Sequence, residues 1–316
     1  MYIRSLIRAG EARMNFIIKK HEKCGDVKER EKINSRYELF GLFGLLKLLF
    51  CSKSNSYKYN LAIVAIMKNE APYIAEWINY YRSVGVKHFY IYDNESTDNL
   101  ESVIQGLTDV TYQKIHGKAR QLDAYNDALN RYGKSCKYMA FLDGGEFIFC
   151  PNSDNKLVPV LDAYFSKKNI GGLGINWQVF GSSNFDTKQE GLITDNYVYR
   201  SDENFEKNRH IKTVCMPSRS AGFVYDPHSM IYLPGYHAIN ENFERIEGPL
   251  TEVPSTKKIR INHYFSKSKE EFLSKRARGQ ADSDKIRDMK QFDDHDKNDI
   301  YDDSLRKYNR CHGLSM

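Results

Sequence analysis

Over residues 1–58 the apolar positions recur at helical intervals. Ile3, Leu6, Ile7, Met14, Ile17 and Ile18 fall roughly on one side of a predicted helix ringed by Arg4, Arg8, Arg13, Lys19 and Lys20, and a short apolar stretch runs from Leu39 to Cys51. Ser52 to Asn60, rich in Ser, Asn, Lys and Tyr, reads as a linker. From Tyr59 the spacing changes. Leu61 to Ile66 is a continuous apolar run of strand length, and after Pro72 the residues Ile74, Trp77, Ile78 and Tyr81 give helical spacing over Ala75 to Val84. A strand over His88 to Tyr92 leads into the polar turn Asp93 to Asp98. A helix from about Asn99 to Leu107, a strand near Val110 to Lys114, a helix from Ala119 to Tyr132 and a strand from Tyr138 to Leu142 follow. This alternation predicts an α/β fold whose parallel sheet is joined by crossover helices. Ligands of such sheets bind at the carboxyl ends of the strands, which singles out Lys68-Asn69-Glu70, Asp93-Asn94 and Asp143 to Glu146.

Beyond Cys150 the pattern breaks into short β-like pieces at Gly172 to Trp177, Tyr197 to Tyr199, Thr213 to Met216 and Met230 to Leu233, and a charged helical tail starts near Lys267. The predicted organisation is a basic helical extension over 1–58 and one domain over 59–316. That domain divides into a nucleotide-binding half (59–151), an acceptor half of mixed structure (152–266) and a helical tail (267–316).

Charge changes the picture of the extension. Residues 1–60 carry 13 Lys and Arg against 6 Asp and Glu, while residues 61–316 carry 34 against 35, so the net charge of +6 sits at the N-terminus and the body is neutral. This argues against nucleic acid as a partner. A basic amphipathic helix suits an anionic membrane surface, reached through residues 1–51, or docks on the body. No stretch reaches the about 18 apolar residues of a membrane-spanning helix. The apolar run begins too late, behind mixed charges, for a signal peptide. Six cysteines without metal or disulfide spacing suit a reducing compartment. The expected location is cytoplasmic, peripheral on the inner face of the membrane.

The chemistry-bearing residues cluster after the strands. Asp93 and Glu70 stand where a carboxylate accepts from ribose hydroxyls or a base, although turns use Asp for capping as well. Phe141-Leu142-Asp143-Gly144-Gly145-Glu146-Phe147-Ile148 puts two carboxylates where one apolar stretch ends and another begins. They suit Mg²⁺ or Mn²⁺ held against phosphates, or else form a Gly-Gly turn with Glu146 exposed. Trp177 with Gly181, Ser182 and Ser183 fits either an acceptor wall or a core Trp and a turn. Lys212 and Lys267 are point charges for a diphosphate, or ordinary surface lysines; Lys275, Arg276 and Arg278 of the tail carry the same ambiguity. No G-x-G-x-x-G follows Leu61 to Ile66, which disfavours a dinucleotide enzyme.

The segments AIMKNEAPYIAEWINYYRSVGVKHFYIYDNESTDN, ARQLDAYNDAL and YMAFLDGGEFI, and then WQVFGSSNF, IKTVCMP, DPHS and INHYFSKSKEEFLSKRARGQAD, carry a resemblance. Taken in order over residues 60–305, they are similar to GT-A fold glycosyltransferases around glycosyltransferase family 92 and the related bacterial family-2-like enzymes. The resemblance implies a nucleotide-sugar donor, a glycan or lipid-linked glycan acceptor, an inverting mechanism, a role in cell-surface polysaccharide synthesis and a divalent metal, Mn²⁺ or Mg²⁺, on an Asp-x-Asp motif. Carried over, Asn69, Glu70 and Asp93 face the nucleotide, with Arg120, Gln121 and Lys212 near the ribose or diphosphate. Asp143 is the first Asp of the motif, with His228 and His263 as further metal or phosphate contacts. Trp177, Ser182 and Ser183 meet the acceptor. An acceptor base is sought among Asp186, Asp202, Glu203 and Asp226, and the catalytic set is Asp143, Glu146 and Asp226. Gly145 departs from the pattern, since the second Asp belongs there. The metal is then bound more weakly, or Glu146 moves in, or activity is reduced; a non-catalytic binding or scaffold protein in polysaccharide assembly is the alternative.

Overall fold

The computed structural model describes residues 56–224, 226–233, 235–277 and 288–315. The expectations for residues 1–55, including the membrane surface, and for Arg278 lie outside the described residues. The chain opens with β1 (Tyr59–Met67), α1 (Ala71–Ser83), β2 (His88–Asp93), α2 (Leu100–Ile104), β3 (Val110–Lys114), α3 (Gln121–Tyr132), β4 (Cys136–Phe141) and β5 (Glu146–Phe149). There follow α4 (Leu157–Phe165), β6 (Ile170–Val179), α5 (Ile193–Asn196), β7 (Tyr199–Arg200), β8 (Ile211–Cys215), β9 (Ser220–Gly222) and β10 (Ile231–Tyr232). The chain closes with β11 (His237–Ile239), β12 (Arg245–Ile246), β13 (Arg260–His263), α6 (Lys269–Ala277), α7 (Met289–His295), β14 (Ile300–Tyr301) and α8 (Ser304–Cys311).

The main sheet runs β12-β11-β6-β8-β4-β1-β2-β3. Its β4-β1-β2-β3 side is parallel, as predicted. The other side is mixed, because β8 pairs antiparallel with both β4 and β6. β1 is covered on both faces, so its apolar run need not alternate with polar residues. Leu61, Ile63 and Ala65 enter one core and Ala62, Val64 and Ile66 the other, following the two-residue period of a strand.

Helix α1 begins at Ala71, four residues earlier than the spacing predicts, because Pro72 suits the first helical turn. Its buried face does more than fill the core. Trp77 Nε1 and the Tyr81 hydroxyl donate to the Glu146 carbonyl at 3.1 and 2.9 Å, and Ile148 N donates to the Tyr81 oxygen at 2.9 Å. The helix thus fixes β5 from below. β5 pairs antiparallel with β13, which pairs in turn with β6.

β6 carries small residues for a steric reason. A Cβ at Gly171 would lie 2.4 Å from the Tyr232 ring, and one at Gly172 1.8 Å from its hydroxyl. The ring is seated in the space those two side chains would fill.

The tail is tied back onto the body. Ser268 Oγ accepts from Glu271 N at 3.2 Å while the Glu271 carboxylate accepts from Ser268 N at 3.1 Å, a reciprocal cap at the start of α6. Glu271 also accepts from the Tyr73 hydroxyl at 2.6 Å and from Tyr197. Further on, Asp302 bonds Arg200 Nε at 2.9 Å, Arg260 Nη2 at 2.7 Å and Ser304 Oγ at 2.6 Å.

Candidate active site

β4 ends at Phe141, and the chain turns at Asp143 to Glu146, with Glu146 N donating to the Asp143 carbonyl at 3.1 Å. The turn therefore lies at the carboxyl end of a central strand. β8 lies between β4 and β6, so Lys212, opposite Ile175 of β6, has no route to bulk water. Its ammonium is drawn to the turn, 3.0 Å from Asp143 Oδ2 and 3.9 Å from Glu146 Oε2. From α3, Gln121 Nε2 donates to Asp143 Oδ1 at 2.9 Å, and one helical turn later the Tyr125 hydroxyl reaches the same oxygen at 3.4 Å. Glu146 Oε2 accepts from Asp143 N at 2.8 Å.

The members differ in depth. The side chains of Lys212 and Glu146 are 1% and 0% exposed, whereas that of Asp143 keeps 41%. Asp143 is the rim of the cluster and Lys212 its floor. Burial pushes the Glu146 carboxyl up to about 8, Asp143 adding to the rise and Lys212 opposing it, so Glu146 is mostly protonated at neutral pH. For Asp143 burial pushes the same way, but the nearby Lys212 charge outweighs it and holds the carboxyl below its usual range. For Lys212 burial favours the neutral form, and the two carboxyls outweigh that and hold it charged. Some polar capacity is unspent: the Trp177 side chain faces the Glu146 carboxyl and lowers its pKa without a well-formed hydrogen bond, His263 Nδ1 is buried without a partner, and no partner meets the angular demands of a bond from Lys212 Nζ.

Around this cluster stand Trp177 and three histidines. Trp177 packs against His210, His228 and His263 with ring centroids 4.8, 5.2 and 4.1 Å away. At 7% exposure it is a core residue. That burial agrees with the core placement the sequence allowed beside an acceptor wall. His228 Nδ1 lies 2.8 Å from the Ile211 carbonyl, which only accepts, so the ring proton is on Nδ1 and Nε2 keeps a lone pair. Burial and then Lys212 push its pKa down to about 3, so it is neutral. His263 is held well below its ordinary value by burial, with Lys275 and His295 adding.

The predicted nucleotide contacts line the neighbouring strand ends. Asp93 is buried and already bonded, accepting from Ser96 N at 2.8 Å and the Tyr112 hydroxyl at 2.6 Å. Asn69 takes a positive φ of 54° and its Oδ1 accepts from Thr97 N at 2.7 Å, lacing the loop after β1 to the loop after β2. Glu70 lies against the turn, since a Cβ on Gly144 would be 3.5 Å from its carboxyl carbon. Lys267 Nζ is 3.9 Å from Glu70 Oε2 and 3.4 Å from the Tyr73 ring centroid. Arg120 pairs with Asp123 at 3.0 Å and borders a concavity of about 650 Å³ with Tyr92, Asn126 and Phe223. That concavity lies along a different face of α3 and includes neither Asp143 nor Lys212.

Other expected residues are not brought to the cluster. Ser182 Oγ donates to Asp296 of the tail at 3.1 Å, and Ser183 Oγ accepts from Val198 N at 2.8 Å, so both hydroxyls are engaged within the chain where acceptor contacts were expected. Asp226 closes its own turn, accepting from His228 N at 2.9 Å and Ser229 N at 2.8 Å. It positions His228 and is not placed as a free base. The spacing of Tyr125 four residues after Gln121 was the available signal for the one cluster member the sequence reading missed.

The residues present do not fit the expected Mn²⁺ or Mg²⁺. Such ions take hard oxygen ligands, of which a protein commonly supplies one or two carboxylates and the substrate phosphates and water the rest, so the test falls on whether Asp143 has an oxygen to give. Among the described residues no three His, Cys, Asp or Glu side chains are placed to hold one, Asp143 with His228 and His263 included. Both Asp143 oxygens already have partners, and an ion on Oδ2 would sit within about 5 Å of the ammonium, a repulsion of roughly 6 kcal/mol at an effective dielectric of about 20. Gly145 offers no remedy as the chain stands, because a Cβ there would be 3.1 Å from the Tyr264 carbonyl oxygen.

The sequence profile of glycosyltransferase family 92 matches residues 64–237, more than half of the chain, which spans β1 to β11 and contains the whole of the Asp143–Lys212 cluster. The chain belongs to that family of glycosyltransferases. A family 92 protein of Ricinus communis is 27% identical over 147 residues, 45% of this chain and 26% of its own length. One of Oryza sativa is 29% identical over 147 residues, 45% of this chain and 25% of its own length. The chain thus spans about a quarter of these relatives. Among solved structures, glucosyl-3-phosphoglycerate synthase of Mycobacterium tuberculosis, in complex with Mn²⁺, UDP and glucosyl-3-phosphoglycerate, is 15% identical over 40% of this chain and 50% of that one, with a TM-score of 0.28. At that score it places no residue of this chain. Among the described residues no helix is long and apolar enough to cross a membrane.

Proposed function

We propose that this chain transfers a sugar from a nucleoside-diphosphate donor to a hydroxyl of a glycan acceptor, with inversion at the anomeric carbon, in the assembly of a cell-surface polysaccharide. The observation that carries the reading is the Asp143–Lys212 pair at the carboxyl end of β4, in the segment the family profile matches. Departure of a nucleoside diphosphate places two negative phosphates at the reacting centre, and fixed cations favour that charge most where water is excluded. Lys212 supplies one such charge, with Lys267 and Arg120 flanking the strand ends. Asp143, ionised and at the rim, is the group oriented toward the sugar. Asn69, Glu70 and Asp93 shape the nucleotide side of the cleft, with Asp93 and Asn69 fixing the two loops.

The reading is tested by incubating the protein with UDP- and GDP-sugars and following nucleotide release, with and without oligosaccharide acceptors. Release from at least one donor, accelerated by an acceptor, is the expected result. No release and no nucleotide binding would leave a non-catalytic role in polysaccharide assembly as the better account.

A further inference from the structure

The strongest feature outside this scheme is the misfit between the cluster and a divalent ion. A transferase whose donor carries a diphosphate needs positive charge beside the phosphates, and here that charge is already covalently part of the chain. Lys212 is forced inward by its place on a central strand and is 1% exposed, with its ammonium 3.0 Å from Asp143 Oδ2. Gln121 and Tyr125 occupy Oδ1 of the same carboxylate. Glu146 is tied through Oε2 to Asp143 N. At Gly145 a Cβ would stand 3.1 Å from the Tyr264 carbonyl oxygen, a tight contact that a carboxylate-bearing residue would have to relieve by a shift of the backbone. The ammonium stands 3.0 Å behind a carboxylate whose side chain is 41% exposed, so its charge acts on a phosphate seated at that rim.

We propose that Lys212 is the resident cation of the site, holding the place on Asp143 that a divalent ion would otherwise take, so that a nucleoside diphosphate binds here without metal. The inference rests on the glycosyltransferase reading above and names the charge that serves it.

The test is calorimetric titration of UDP and of GDP into the full chain, first in EDTA and then in saturating Mn²⁺, on wild type and on Lys212→Met. For whichever nucleotide binds, the two wild-type affinities agree within about three-fold. In EDTA, Lys212→Met binds at least about ten-fold more weakly, a loss of about 1.4 kcal/mol. Mn²⁺ restores part of that loss, because Asp143 Oδ2 is then free to meet an ion. A wild-type affinity that rises more than about three-fold with Mn²⁺ overturns the inference and leaves the glycosyltransferase reading standing. Unchanged metal-free affinity in Lys212→Met overturns it as well. Binding of neither nucleotide in either condition sinks both. Should the variant fail to fold, the wild-type comparison alone decides.

Discussion

Among the described residues, two buried clusters of opposite charges are finished differently. Around Asp302, the guanidinium groups of Arg200 and Arg260 and both donors of Ser304 converge on one carboxylate, whose pKa burial would raise but Arg260 and Ser304 bring down to about 2. Around Asp143, one ammonium serves two carboxyls, one of them protonated up to about pH 8, and several buried donors and acceptors are left over. The first arrangement is what a joint between the body and the tail needs. The second keeps polar capacity for something that is not part of the chain. Unspent buried hydrogen-bonding groups cost stability, and their concentration at a strand end is the physical mark by which a site is told from a strut.

The contrast is broken most strongly at the strut. Asp302→Ala leaves two nearly buried guanidiniums without their carboxylate and is expected to lower unfolding free energy by about 3–5 kcal/mol. Denaturant melts check this, and a loss below about 1 kcal/mol would sink the assigned role. Gly145→Asp ranks next, because its Cβ must push the Tyr264 carbonyl aside, with an expected cost of about 1–3 kcal/mol in the same melts. Lys212→Met is expected to cost roughly 1 kcal/mol or less, since the 41% exposed Asp143 can be hydrated once its partner is gone. A loss as large as that of Asp302→Ala would mean the two clusters are alike.

The smallest effect is read against pH. Folded Glu146 keeps its proton up to about pH 8, whereas an ordinary Glu loses it near 4.5, so between those values the folded state binds more protons and stability falls as pH rises. Glu146→Gln removes that slope, and thermal melts across the window should converge at low pH and favour the variant at the high end. Asp302 works with the opposite sign. Its contribution is present above about pH 3.8 and is lost as pH falls toward 2.

The parallel half was readable from spacing, because β1 and β2 are apolar runs bounded by polar turns and β3 follows the helix after them, and the limits of all three fall within two residues of the prediction. The strand β5 was not, since four residues of Glu-Phe-Ile-Phe look like the continuation of a turn until β13 is brought beside them. The same holds for the site. Asp143 and Glu146 announced themselves by position in the chain, as did Lys212 as a cation. That Lys212 lies on a central strand, with no path to water, depends on β8 entering between β4 and β6, a pairing between segments about 70 and 35 residues apart that local pattern does not carry. The surroundings of Ser182, Ser183 and Asp226 were not legible for a related reason: their polar atoms are engaged by backbone and tail groups, and a hydroxyl or carboxylate looks the same in sequence whether engaged or free.

The seat of Tyr232 has a consequence for how this sequence can drift. A methyl group at Gly172 and the phenol of Tyr232 claim the same volume, so Gly172 cannot grow while the tyrosine stands: a larger residue on the strand is admissible only in a lineage that has first traded the tyrosine for something smaller. Among descendants of this chain a change at Gly172 should come with one at Tyr232, and a library that randomises both together should recover folded proteins that randomising Gly172 alone does not.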